Sequence, residues 1–334
     1  MGTSYSQEDI ERFALEMYND ILWQTPCLLP DVGIDESLLK YSGDDSNAVL
    51  QSYSDGMLDS MPGYVSGFGS AFGNLKSVPN AVGLGALVIS MIIEIIIKSS
   101  TQTSDKTDTY SLLRRVFGEE KASSVRDIMT EYLKRHRMFM TNDQLLREDI
   151  KRLEKQLSQH LTILRNSLLQ DGQMSSRGLK IWVNGAAFHV QMLIHEVRLG
   201  VKADKTVSDC VFVINAAIDV YSQSLDLLLE KYKPYKINSN MWKVESYPYI
   251  GDGFVDLDKC LMYNDEIEGC KTSLRNKDHW LCGVKKRIMA SFMDIVFSKY
   301  EPIIGLKRYF SNVKNNLNSL IHERGSFAVP SAAG

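Results

Sequence analysis

The sequence predicts a mainly all-α protein: an elongated helical bundle with long coiled-coil-like helices, an apolar glycine-rich helical hairpin and a small irregular cysteine-containing insert. Three observations predict it. Eight prolines in 334 residues leave room for long helices. Apolar residues recur at three- and four-residue spacing over most of the chain. One segment, 60–93 (SMPGYVSGFGSAFGNLKSVPNAVGLGALVISMII), holds a single charge, Lys76, among six glycines and the rings of Tyr64, Phe68 and Phe72.

Residues 1–56 read as an N-terminal amphipathic helix and a connector. Ser6 suits an N-cap with acidic residues behind it, and Ile10, Phe13, Ala14, Met17, Ile21 and Leu22 mark one face. Pro26, Pro30, Gly33 and Gly43 then break the pattern. The M-G-x-x-x-S start makes Gly2 a candidate lipidation site. No basic stretch followed by an apolar run opens the chain, so no classical signal peptide is expected, and the compartment stays open.

Residues 57–98 read as the apolar hairpin. The first arm, 61–75, sets Met61, Tyr64, Val65, Phe68, Phe72 and Leu75 on one stripe and Gly63, Gly67, Ser70 and Asn74 opposite. A polar break follows at 76–80, with Ser77 expected to cap the next helix. The second arm, 81–97, carries its own small stripe: Gly83, Ala86, Ser90 and then Glu94. Residues 79–97 as a helix reach ~28 Å at ~1.5 Å per residue, close to the ~30 Å hydrocarbon core of a bilayer. Tyr64, Gly67, Phe68, Phe72, Gly83, Gly85, Leu87, Ile89, Ile92, Glu94 and Ile96 are therefore the candidate membrane-insertion residues. Glu94 is expected to face the partner arm or a lumen, because a carboxylate exposed to lipid is costly.

Residues 99–236 read as the long-helix bundle. From 109 to 171 a 3–4 alternation runs through Leu146, Ile150, Leu153, Leu157, His160, Leu164 and Leu168. Unbroken, this helix would span roughly 90 Å; Gly118 and Thr141-Asn142 are its expected breaks. Residues 175–199 and 206–233 follow as helices, the second expected to end at Pro234. Residues 237–284 read as an irregular or β-containing head. Within it Cys260, Cys270 and Cys282 are candidates for one local disulfide, while Cys27 and Cys210 stand apart. Residues 285–324 return to amphipathic helix, and 325–334 are expected to be a disordered tail.

Catalytic chemistry finds no foothold. The six histidines include no i, i+4 pair, and His195-Glu196 lacks the second histidine of a zinc-protease motif. His189 and His195 read as ordinary helix residues. There is no phosphate loop, and Gly67-Phe68-Gly69 places Phe72 where a dinucleotide loop needs its third glycine. The acidic residues Asp252, Asp256, Asp258, Asp265, Glu266 and Glu268 have no calcium-loop spacing. Lys134-Arg135-His136-Arg137 reads as a solvated turn. The net charge of -3 gives no pull toward nucleic acid. No enzyme activity, cofactor, metal or nucleic-acid partner is expected.

Long helices joined to a concealed apolar hairpin make the chain similar to the α-helical pore-forming toxins of the cytolysin A and haemolytic enterotoxin type. That resemblance implies a soluble form with the apolar element packed on the bundle, a lipid-membrane partner that releases it, and a homo-oligomer. The hairpin here precedes the long helix, whereas several of those families carry it later. The expected function is membrane insertion and oligomerisation, up to pore formation. The alternative is a non-enzymatic coiled-coil interaction or scaffold protein with the hairpin as buried core.

Overall fold

A computed structural model describes residues 6–100, 124–200, 207–247, 257–274 and 284–331. Gly2, Asp252, Asp256 and Cys282 lie outside them, as does the part of the expected long helix before Ser124 with its expected break at Gly118. The described chain is mainly helical, as its periodicity requires.

Helix α1 (Gln7–Gln24) starts where expected, the Ser6 hydroxyl accepting from the Asp9 amide. It buries Ile10, Ala14, Met17 and Ile21 against α10 (Lys285–Lys299). The expected connector is itself partly helical: it holds α2 (Glu36–Lys40) and most of α3 (Ser46–Ser60), which runs on past residue 56 into the expected hairpin.

The apolar segment is more compact than two long arms. A 3₁₀ turn (Pro62–Tyr64) precedes the short α4 (Val65–Phe72), which stops at Gly73 in the left-handed region, φ +60°. Ser77 caps no helix. Ser77–Pro79 forms strand β1, and α5 (Leu84–Ser100) begins only after Asn80 and Gly83, both at positive φ. The expected stripe holds at its rings and not throughout: Tyr64, Phe68 and Phe72 are buried and Gly63, Ser70 and Asn74 exposed, but Met61, Val65 and Leu75 are only half-buried, and Gly67, expected on the open face, is half-buried against Ile96.

The long helix breaks at the second expected place. Helix α6 (Ser124–Met138) ends, and Asn142 caps α7 (Asp143–Leu169) by accepting from the Leu145 amide. The α7 seam is Leu146, Ile150, Leu153, Leu157, Leu161 and Leu168. His160 and Leu164 are only half-buried, because a straight helix drifts from a strict heptad and moves the stripe to Leu161. This seam is spent inside the chain, against α8 (Ser176–Gly200). Helix α8 is buried on nearly every side along 178–192 and forms the axis of the bundle.

Helix α9 (Val207–Ser239) runs through Pro234 instead of ending there. An interior proline costs about 3 kcal/mol. Contacts beyond it offset that cost: Lys236 donates to Glu266 and Asn264, and Tyr235 donates to Glu266. The head is a three-stranded antiparallel sheet, β2 (Asn240–Tyr247), β3 (Leu257–Asn264) and β4 (Lys271–Leu274), in the order β2-β3-β4. Helices α10, α11 (Glu301–Asn315) and α12 (Leu317–His322) complete the bundle.

Two non-local ties differ from expectation. Cys270 bonds to Cys27, 243 residues away, rather than to Cys260 or Cys282. Asn240 and Asn264 donate to the carbonyls of Leu28 and Cys27, so the sheet docks on the segment after α1 and brings the two sulfurs together. Part of the expected disordered tail is a strand: Ser326–Ala328 forms β5, antiparallel to β1 with Val78 opposite Phe327, while 332–334 lie outside the described residues. Phe327 is fully buried beside Phe68 and Phe72, at 6.4 and 6.3 Å between ring centroids, which fixes a strand that sequence composition left free.

Candidate functional site

Helix α5 is the centre of the candidate site. Every residue from 81 to 93 is buried, among them Gly83, Gly85, Leu87, Ile89 and Ile92. Helices α3, α4, α6 and α8 surround it. Its glycine neighbours are explained by close approach. A Cβ on Gly67 would lie 2.4 Å from Ile96 Cγ2, and one on Gly85 2.2 Å from the Asn80 carbonyl oxygen and 3.4 Å from His195 Cε1. Glu94 lies half-buried at the other end. It faces Tyr41, whose phenol is pushed up by burial and further by the Glu94 charge.

A polar clamp closes the N-terminal end of α5. The Gly83 amide donates to Ser46 Oγ at 2.7 Å, and that hydroxyl donates to Glu323. Arg198 of α8 reaches the same carboxylate through Nη2 at 2.7 Å and donates through Nε to the Leu320 carbonyl at 2.6 Å. The ion pair is closed to water, at 2% and 6% side-chain exposure. Burial pushes Arg198 down to about 10, with Glu323 opposing the fall. Gly83 is required twice: its φ is +55°, and a Cβ there would sit 2.1 Å from Arg198 Nη1.

The strap after α12 completes the clamp. Asn47 Nδ2 donates to the Ala81 carbonyl, the Ala81 amide to the Gly325 carbonyl, and the Val329 amide to the Lys76 carbonyl. Asn80 Nδ2 donates to Asp143 Oδ1 at 2.8 Å and ties the loop to α7.

Beside the clamp lies a cluster that spacing did not reveal. His136 of α6 and His195 of α8 pack with ring centroids 5.4 Å apart, and Tyr132 lies 6.0 and 6.5 Å from them. Both ring nitrogens of each histidine, the Tyr132 hydroxyl and Arg198 Nη1 are buried without a hydrogen-bond partner. Burial pushes His136 down to about 4, with the helix's own backbone and the Asp143 charge opposing the fall. Burial also holds His195 well below the usual range, and neighbouring His136 and Arg198 add to this. A pair of neutral imidazoles beside a guanidinium is stable only while no further proton arrives. Each histidine lies on an apolar stripe, Val125-Met129-Tyr132-His136 and Phe188-Met192-His195-Leu199. That marks both as core positions, but their meeting depends on how α6 crosses α8.

The other singled-out residues have structural roles. His189 is held by Tyr221 at 3.0 Å and Glu154 at 3.4 Å. In the basic run, Lys134 and Arg135 pair with Glu131 while His136 is buried. Glu266 accepts from Ser176, Tyr235 and Lys236 and anchors the sheet to the bundle. Among the described residues no cluster of three or more His, Cys, Asp or Glu side chains fits a metal ion. Also among them, one helix, α9, is long and apolar enough to cross a membrane, with a mean hydropathy of 1.2 over its best window, a third of it buried. Compared with family models, curated proteins and solved structures, the chain matches none.

Proposed function

We propose that the chain is a membrane-active helical protein whose water-soluble state seals α5 inside the bundle and whose activated state delivers α5 to lipid, where copies assemble. The observation that carries this reading is a helix buried on all sides from 84 to 93, with a polar clamp at its N-terminal end and, beside the clamp, the buried and unpartnered rings of His136 and His195. The energetics suit a latch. Moving apolar side chains from a protein core to hydrocarbon gains little, since both are apolar. The threshold therefore lies in the polar groups: Arg198–Glu323, the Ser46 bridge and the strap. Protons reaching His136 and His195 place cations against Arg198, with Arg324 also near; Glu323 and Asp143 offset only part of that charge, and Tyr132 stays neutral. Helix α5 spans ~25 Å at ~1.5 Å per residue, so it reaches across most of a ~30 Å core.

The test is dye release from vesicles with the strap locked. Ser77 and Ala328 are exposed and directly opposed across β1 and β5, so Ser77→Cys/Ala328→Cys is positioned to form a disulfide on the surface. Wild type and the reduced variant are expected to release dye in mild acid, and the oxidised variant to stay silent. Release by the oxidised variant refutes the latch, and silence of all three at every pH refutes membrane activity.

The second reading is a non-enzymatic interaction protein in which α5 is permanent core. The tight seating of Gly67 on Ile96 and of Gly85 on Asn80 favours it. Ile92→Asp cannot separate the readings, because Ile92 is buried in the soluble state under both.

A further inference from the structure

The seam of α7 is consumed within the chain, but α9 keeps a second apolar face. Its inner face buries Ile214, Ile218, Tyr221, Leu225 and Leu228. On the outer face Phe212 is 75% exposed, Val213 58%, Val220 59% and Leu227 47%, with Ala216 and Gln223 exposed between them. The positions 213, 216, 220, 223 and 227 follow alternating steps of three and four, the register of a coiled-coil seam. Most helices of a soluble bundle show one such stripe; this one shows two.

We propose that this face pairs with the same face of a second copy, making the chain a homodimer through α9 side by side with α9. Three features select a second copy as the occupant. The acidic residues flanking the middle of the stripe are neutralised within the chain: Asp219 by Lys314 and Asp226 by Lys307, both of α11. Two copies can therefore approach without like charges at the centre. Gln223 is the polar residue of the seam. An amide carries both donors and an acceptor, so it is satisfied by its own equivalent when the helices run parallel about a two-fold axis, whereas an apolar partner would leave it stranded. The apolar members face themselves in that same register. Asp209 and Glu230 bound the stripe at its two ends, so their like charges sit at a solvated rim and the dimer tightens as salt screens them. The pairing uses residues outside α5 and its clamp, and it holds whether or not α5 enters lipid.

The experiment is sedimentation of the full chain at neutral pH over a wide concentration range. The expected result is a dimer. Val220→Asp puts a carboxylate from each copy at the seam and is expected to weaken the dimer at least about 100-fold while leaving the helical circular dichroism unchanged, since Val220 is exposed. Val220→Cys in a Cys210→Ser background is expected to form a disulfide-linked dimer on mild oxidation; Cys210 is the free thiol on the same helix. A chain that stays monomeric at the highest concentration overturns the proposal, as does a dimer that Val220→Asp leaves intact. Monomers that bind vesicles in a Val220-dependent way also overturn it, and assign the face to lipid.

Discussion

Acidification should unfasten the His136–His195 cluster, and the size of the effect can be worked from the structure. An unfolded histidine takes its proton near pH 6.5, whereas folded His136 stays neutral down to about 4. Between those values the unfolded chain binds more protons, so stability is complete above about pH 6.5 and falls as pH drops toward about 4. At about 1.4 kcal/mol per pH unit, His136 alone removes about 2.5 kcal/mol by roughly pH 4.5, and about 3 kcal/mol lower still. His195 shifts in the same direction and adds to the loss. That is a large share of the ~5–15 kcal/mol that holds a typical domain. The assay is the urea midpoint at neutral pH and at about pH 4.5, for wild type, His136→Phe and the double variant with His195→Phe. Phenylalanine keeps a ring against Tyr132 and cannot titrate. The variants should be flatter with pH than wild type, the double variant most of all. Carboxylates elsewhere titrate equally in all three chains, so the difference isolates the cluster. An identical pH slope in the three proteins would refute the reasoning.

Other substitutions test the remaining links. Gly83→Ala meets both a left-handed backbone and Arg198 Nη1, and should cost about 2–4 kcal/mol in thermal or urea melts, more than a typical exposed glycine. Phe327→Ala removes the ring that pins β5 to Phe68 and Phe72. It should cost about 3–5 kcal/mol and raise hydrogen exchange at the Ala81 and Val329 amides, whose bonds join the strap to the β1–α5 segment. Glu266→Ala strands the buried Lys236 ammonium, and a loss of about 3–5 kcal/mol is expected by calorimetry. An additional Lys236→Met change should restore part of it.

Much of the architecture was legible because helical periodicity is local. The Ile10–Ile21 face, the Tyr64-Phe68-Phe72 stripe, the Ser6 cap and the break near Asn142 each depend on residues within a turn or two. The apolar run from 84 to 93 was legible for the same reason. Its burial was not, because closure around residues 84–93 depends on where α3, α4, α6 and α8 pass. The clamp shows the limit most clearly. Gly83, Ser46, Arg198 and Glu323 come from four separated stretches, and nothing within any one stretch marks its partners.

By itself, the sequence determined the helical class, which faces turn inward, and the apolar character of α5. Tertiary structure alone decided that Cys270 meets Cys27, that α9 continues through Pro234, that Ser326–Ala328 becomes a strand around Phe327, and that two histidines are buried against each other. The physical reason is common to all four. Local rules set the cost of a conformation in isolation. Burial and hydrogen bonding to chain far away in sequence decide whether that cost is met.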